Sequence, residues 1–134
     1  MKKFDNFKSN LEVLSRAYKE DLSNEFIVSG IIDKFFIQFE LSWKVLKELL
    51  RYEGRNTANT GSPREIIKTA YQVYDFLEEK TWLSMLKDRN SMTHIYDGTE
   101  AKELVKRILE IYIPTFCCIK EEIEKEYRDI LDDL

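Results

Sequence analysis

Apolar side chains recur along the chain at intervals of three and four, the period of a helix face, and five such runs can be read. The first, over about 4–22, sets Phe4, Phe7, Leu11, Leu14 and Tyr18 on one stripe, so it packs by one face. The second, over about 24–53, carries Ile27, Ile31, Phe35, Phe39, Leu46 and Leu50, and Ile32, Phe36, Trp43 and Leu49 widen its apolar arc. An arc that broad places this helix at the centre of the fold. Gly54 suits the residue just past its end, where a left-handed conformation is often needed. The polar run 55–61 reads as a surface loop.

Ser62-Pro63-Arg64-Glu65 is a helix start: Ser62 caps, Pro63 sits where its missing N–H costs nothing, and Glu65 completes a capping box. The third helix, to about 76, buries Ile66, Ala70, Val73 and Leu77; the fourth, from about 79, uses Trp82, Leu83 and Leu86. Asp97-Gly98-Thr99-Glu100 opens a long fifth helix with a stripe of Leu104, Ile108, Ile111, Cys118, Ile123 and Ile130. Pro114 should bend it, leaving the end beyond pointing away from the bundle. The expected fold is all-α, an antiparallel helical bundle of about five helices, with residues 1–134 forming a single domain.

Composition agrees. With only 4 Gly and 2 Pro in 134 residues, a hairpin-rich β protein would lack its turn residues. No window approaches the roughly 18 apolar residues of a membrane span, and Met1-Lys2-Lys3-Phe4-Asp5 turns polar too early for a signal peptide, so a soluble cytoplasmic protein is expected, with no membrane partner. The net charge of -4 is local: residues 118–134 hold three basic and seven acidic residues, and the rest balance at 18 each. Any contact with nucleic acid must therefore be focused rather than spread over a basic surface. Cys117 and Cys118 are adjacent on a helix, too divergent for an ordinary disulfide, and no second Cys/His cluster offers a structural zinc site. No Gly-x4-Gly-Lys loop or Gly-Ser plus paired-aspartate motif is present, so the chain does not transfer nucleotides by itself.

The chemistry concentrates between the fourth and fifth helices. His94 is the sole histidine, and Asp88-Arg89-Asn90-Ser91-Met92-Thr93-His94-Ile95-Tyr96-Asp97 sets a guanidinium, an imidazole and a phenol within eight positions. On an unbroken helix Arg89 and His94 would lie about 140° apart, whereas a helix ending near Met92 lets both face one pocket. A lone Arg and His near a helix end also serve as capping and packing groups. The functional alternative is phosphodiester cleavage, with the imidazole moving a proton near pH 7 and the guanidinium holding a phosphate by two parallel hydrogen bonds. It calls for no metal and no cofactor. One imidazole does not conveniently serve as both base and acid, so a symmetric dimer joining two His94 side chains in one groove would supply both.

Arg89-Asn90, three residues, then His94-Ile95-Tyr96 resembles the Arg-x4-His-x-Tyr signature of the HEPN superfamily, specifically its HepT-like proteins, also known as nucleotidyltransferase substrate-binding proteins. Phe39-Glu40-Leu41-Ser42-Trp43-Lys44 resembles the second-helix signature of that group, and Gly61-Ser62-Pro63-Arg64-Glu65 its third-helix start. Trp82 to Asn90 resembles its approach to the motif, so the blocks together span most of 35–110. The resemblance implies a homodimer whose two Arg89–His94 regions line a shared cleft, and a minimal nucleotidyltransferase (MNT) partner encoded nearby. It further implies a metal-independent endoribonuclease toxin of a toxin–antitoxin pair, acting on RNA and silenced by AMP transfer to a tyrosine. By that match His94 is the acid/base, Arg89 the phosphate clamp and Tyr96 the AMP acceptor. The alternative is a non-catalytic substrate-binding subunit of a two-component nucleotidyltransferase.

Glu40 either pairs with Lys44 on the wet side of its helix or orients Arg89; the resemblance favours the second. Asn90 either bonds the nucleotide or caps the helix end. Lys44, Lys47 and Arg51, extended by Arg55, are spaced by three, four and four, giving one basic edge that is either solvated or a surface for RNA or a partner.

Overall fold

The computed structural model describes residues 1–91 and 98–134, apart from the side chains of Thr57 and Thr60. Among them the regular structure is all helical, with no strand: α1 (Lys2–Leu14), α2 (Glu25–Tyr52), the single turn α3 (Thr57–Thr60), α4 (Pro63–Val73), α5 (Glu79–Asn90), α6 (Gly98–Arg107) and α7 (Ile113–Tyr127). A π turn, Ile108–Tyr112, joins α6 to α7 as one rod, so five rods make the bundle.

The central helix has the ends its sequence asks for. Asn24 Oδ1 accepts from the Phe26 and Ile27 N–H groups, at 2.9 and 3.4 Å, satisfying two donors that a first turn leaves open. At the other end Gly54 takes φ +78°, its N–H bonds the Arg51 carbonyl and the Arg55 N–H bonds the Leu50 carbonyl. That pair of bonds is the Schellman closure, which needs a left-handed residue. Ser62 Oγ likewise accepts from the Glu65 N–H at 3.3 Å, with Pro63 first in α4.

Polar contacts set the helix directions. Lys3 Nζ reaches Glu48 Oε1 at 3.0 Å while Asn10 Nδ2 reaches Gln38 Oε1 at 2.8 Å, so α1 and α2 run antiparallel. Gln38 is fully buried yet satisfied, since its Nε2 donates to the Phe7 carbonyl at 3.1 Å. Trp82 lies against Phe116 and Asp88 against Arg107, so α5 runs antiparallel to the C-terminal rod. Phe35 stacks on Tyr112 and Glu53 meets Tyr127, so α2 and the C-terminal rod run the same way. At the heart of the core, Phe116 touches the rings of Phe7, Phe35 and Trp82, from α1, α2 and α5.

Five expectations need correction. The first helix gives way at Ser15 to a 3₁₀ turn, Ser15–Lys19. Four residues at about 120° rather than 100° rotate Tyr18 by about 80° off the stripe; it is 54% exposed, and its hydroxyl donates to the Leu109 carbonyl in the π turn. The loop 55–61 contains α3, pinned by the fully buried Ala58. The third helix stops at Val73 because Tyr74 turns extended to bury its ring; Val73 itself is only partly buried. In α5, Met85 is buried and Leu83 half-buried.

The fifth correction concerns phase. The stripe expected for the last helix holds through Leu104 and Ile108, but Ile111 is 44% exposed and Cys118 is exposed. Tyr112, Phe116 and Ile119 are buried instead, while Ile123 is buried as expected. A π turn closes i→i+5 and adds one residue to the turn, advancing every later side chain by one position. It ends two residues before Pro114, whose ring would crowd the carbonyl four residues back in a regular helix. The widened turn lets the rod continue, and the acidic end does not leave the bundle: Tyr127 is buried, Ile130 and Leu131 pack on the core, and the Met1 amino group donates to the Leu131 carbonyl.

Phe116→Ala removes a ring shared by three helices and should cost about 3–5 kcal/mol of unfolding free energy, measured by urea titration. Ile111→Ala, on the outward face created by the π turn, should stay within about 1 kcal/mol.

Candidate functional site

The site is assembled on the last turn of α5, where Asp88, Arg89 and Asn90 follow one another. Successive helical residues point about 100° apart, so Asp88 and Arg89 face different neighbours. Arg89 faces α2: its Nε donates to Glu40 Oε1 at 2.9 Å. The other oxygen of the same carboxylate, Oε2, accepts from Trp43 Nε1 at 2.9 Å. Glu40 thus faces Arg89 and Trp43 rather than Lys44, and it joins an indole and a guanidinium through one group. The Arg89 and Glu40 side chains are about one-third exposed, 34% and 33%, so the pair borders solvent. Asn90 Oδ1 accepts from Arg89 Nη1 at 3.1 Å, so this side chain supports the guanidinium instead of capping the helix, whose C-cap is Ser91.

Asp88 faces the C-terminal rod. Arg107 grips it with two bonds, Nε to Oδ2 at 2.9 Å and Nη2 to Oδ1 at 2.8 Å. The Tyr112 hydroxyl donates to Oδ2 at 2.5 Å and lies 2.7 Å from Ser84 Oγ. An acid in the last turn of a helix opposes the helix dipole, so the fork of Arg107 offsets a charge that would otherwise stand uncompensated. The bond to Asp88 pushes the Arg107 pKa up. Burial, then the bond to Asp88, raises the Tyr112 phenol to about 12.

His94 and Tyr96 lie outside the described residues. The structure brings together Glu40, Arg89 and Asn90 of the expected set. Asp88, Arg107, Tyr112 and Ser84, which brace that set from behind, were not legible: Arg107 stands 18 positions from Arg89 with no motif around it, and Tyr112 reaches Asp88 only because of the π turn. A carboxylate beside Arg89 was the one available signal.

The basic edge of α2 is shorter and less uniform than its spacing suggests. Lys44 is exposed with its ammonium 5.8 Å from the Trp43 ring centre, Lys47 is half-buried, and Arg51 pairs with Glu48 at 3.4 Å. Glu48 also takes Lys3, a bond that holds its carboxyl below the usual range. Arg55 lies beyond the Gly54 turn, off the helix, so the edge ends at Arg51. Among the described residues, no group of three His, Cys, Asp or Glu could hold a metal ion, and no helix is long and apolar enough to cross a membrane.

Residues 2–125 match a family model described as nucleotidyltransferase substrate binding protein like. The chain is also similar to a curated protein, the probable ribonuclease HepT of Haemophilus influenzae, at 24% identity over 105 residues that cover 77% of this chain and 72% of the relative.

Because the Tyr112 phenol goes from its ordinary 10.0 to about 12 on folding, its contribution to stability is present below pH 10 and is lost as pH rises from 10 to 12. Tyr74 is raised to about 12 as well, chiefly by burial. Unfolding monitored by circular dichroism should therefore track phenolate absorbance in this window, and Tyr112→Phe should flatten the decline. A stability curve flat across the window would contradict this placement of the phenols.

Proposed function

This chain belongs to the nucleotidyltransferase substrate-binding protein-like family, and from that premise we propose that it is a metal-independent endoribonuclease acting as a homodimer. The relative named probable ribonuclease HepT supports the reading, and one observation carries it: Glu40 anchors Arg89 through Nε and Asn90 steadies Nη1, so a permanently charged guanidinium is held in one place at the solvent border. That is the posture of a phosphate clamp.

In this proposal the substrate is single-stranded or loop RNA. A ribose 2′-OH attacks the adjacent phosphate, one His94 takes the hydroxyl proton, and the bond to the 5′ oxygen breaks. His94 of the second copy returns a proton to that leaving oxygen. The products are a 2′,3′-cyclic phosphate and a 5′-hydroxyl, and Arg89 stabilises the charge that grows on the phosphoryl oxygens. Asn90 holds the guanidinium, while Lys44, Lys47 and Arg51 guide the RNA strand, with Arg55 adding charge beyond the turn. The proposed cellular form is cytoplasmic, a single HEPN-like domain over 1–134, paired with a minimal nucleotidyltransferase encoded nearby. As the antitoxin of a toxin–antitoxin pair, that partner silences the ribonuclease by transferring AMP to Tyr96. AMP there adds bulk and negative charge two residues from His94, repelling an RNA phosphate.

A second reading draws on the family's own description: the chain is a substrate-binding subunit of a two-component nucleotidyltransferase, with no RNA chemistry. Purified protein incubated with labelled RNA and a chelator separates the two. Wild type should cut the RNA, and His94→Ala and Arg89→Ala should each lower the rate by about 100-fold or more. Absence of cleavage by protein whose intact mass shows Tyr96 unmodified would reject the ribonuclease and favour the subunit.

A further inference from the structure

The last turn of α5 is held from two sides by two carboxylates that never share a partner. Glu40 on α2 takes Arg89, and Asp88, the residue before it, takes Arg107 and Tyr112 of the C-terminal rod. The Asp88 side chain is 13% exposed, more enclosed than the Glu40–Arg89 pair that it sits behind. Without the extra residue of the π turn, Ile111 would occupy the inward position and no hydroxyl would reach Asp88. Departures from regular helix of this kind concentrate where a side chain has to be aimed. Ser84, one turn earlier on α5, meets the same hydroxyl, so Tyr112 ties two successive turns of α5 to the rod.

We propose that Arg107 and Tyr112 are positioning residues for Arg89: acting through Asp88 they fix the last turn of α5, so that the guanidinium meets Glu40 in one orientation. The inference rests on the reading of Arg89 as the phosphate clamp. Their part is indirect; what they control is the freedom of the helix end that carries it. Two features separate this role from ordinary packing. The contact is polar and fork-shaped, so it fixes rotation as well as distance. It also engages the residue adjacent to Arg89, so the backbone that carries Arg89 is held where its side chain starts.

The test is the exchange rate of the Arg89 Nε–H with solvent, read by ¹⁵N NMR with Arg89→Lys to assign the signal, alongside RNA cleavage in chelator. Tyr112→Phe keeps the ring stacked on Phe35 and removes only the hydroxyl; Asp88→Asn keeps the shape and removes the charge. Each should speed Arg89 exchange and lower kcat by about ten-fold with KM unchanged, the lower end of what loss of one hydrogen bond to a charged group brings. Melting curves would show both variants folded at the assay temperature. Tyr127→Phe, which removes a hydroxyl bound to Glu53 at the other end of α2, should leave Arg89 exchange as it was. Unchanged exchange in both folded brace variants, or unchanged kcat in an active protein, would overturn the proposal. If the wild type cuts no RNA while exchange still responds, the ribonuclease reading falls and the brace stands.

Discussion

Arg89 is a permanent charge at the end of a helix, and a long flexible side chain in that place would sample many orientations unless something fixed it. The Glu40 carboxylate supplies that constraint, with one oxygen on Arg89 and the other on Trp43. A pair this close to solvent adds at most about 1 kcal/mol to folding, so its value is directional rather than energetic. Because Glu40 sits mid-way along the helix with the most buried residues, the guanidinium is tied to the central element of the core. The same carboxylate holds the indole, so the surface beside the guanidinium has a defined shape.

The rest of the architecture exists to hold α5 against α2 in that register. Phe39 and Trp82 pack between the two helices, and Phe116 closes the far side of Trp82. Behind them, the π turn solves two problems at once. It relieves the crowding that Pro114 would cause, and it rotates Tyr112 inward, where the ring stacks on Phe35 and the hydroxyl meets Asp88. A deviation that looks like a defect in a helix is thereby a structural joint between the C-terminal rod and the candidate site.

Much of this was legible in the chain. The central helix was bounded close to its observed ends, with Gly54 read as its left-handed terminator, and its broad apolar arc placed it correctly; the cap at Asn24 came from the structure. The setting of Glu40 among Phe35, Phe36, Phe39 and Trp43 said only that it must be paired if it turns inward, and the family resemblance favoured Arg89 over Lys44 as the partner. The phase of the last helix was not legible, since a period of 3.6 is assumed in reading a stripe and one inserted residue breaks it after Ile108. The brace followed the same fate: Tyr112 was invisible as a partner of Asp88 while Ile111 was taken to face inward. Tyr18 failed for the mirror reason, a turn that tightened instead of widening.

In the proposed ribonuclease, Glu40 acts on RNA cleavage through Arg89 and by no other route. A double-mutant cycle in the chelator assay tests it directly, comparing Glu40→Gln, Arg89→Ala and the two combined. The expected result is that Glu40→Gln lowers kcat in a folded protein and that the combined variant is no slower than Arg89→Ala alone. Additive losses, with the combined variant slower by the product of both factors, would contradict the account.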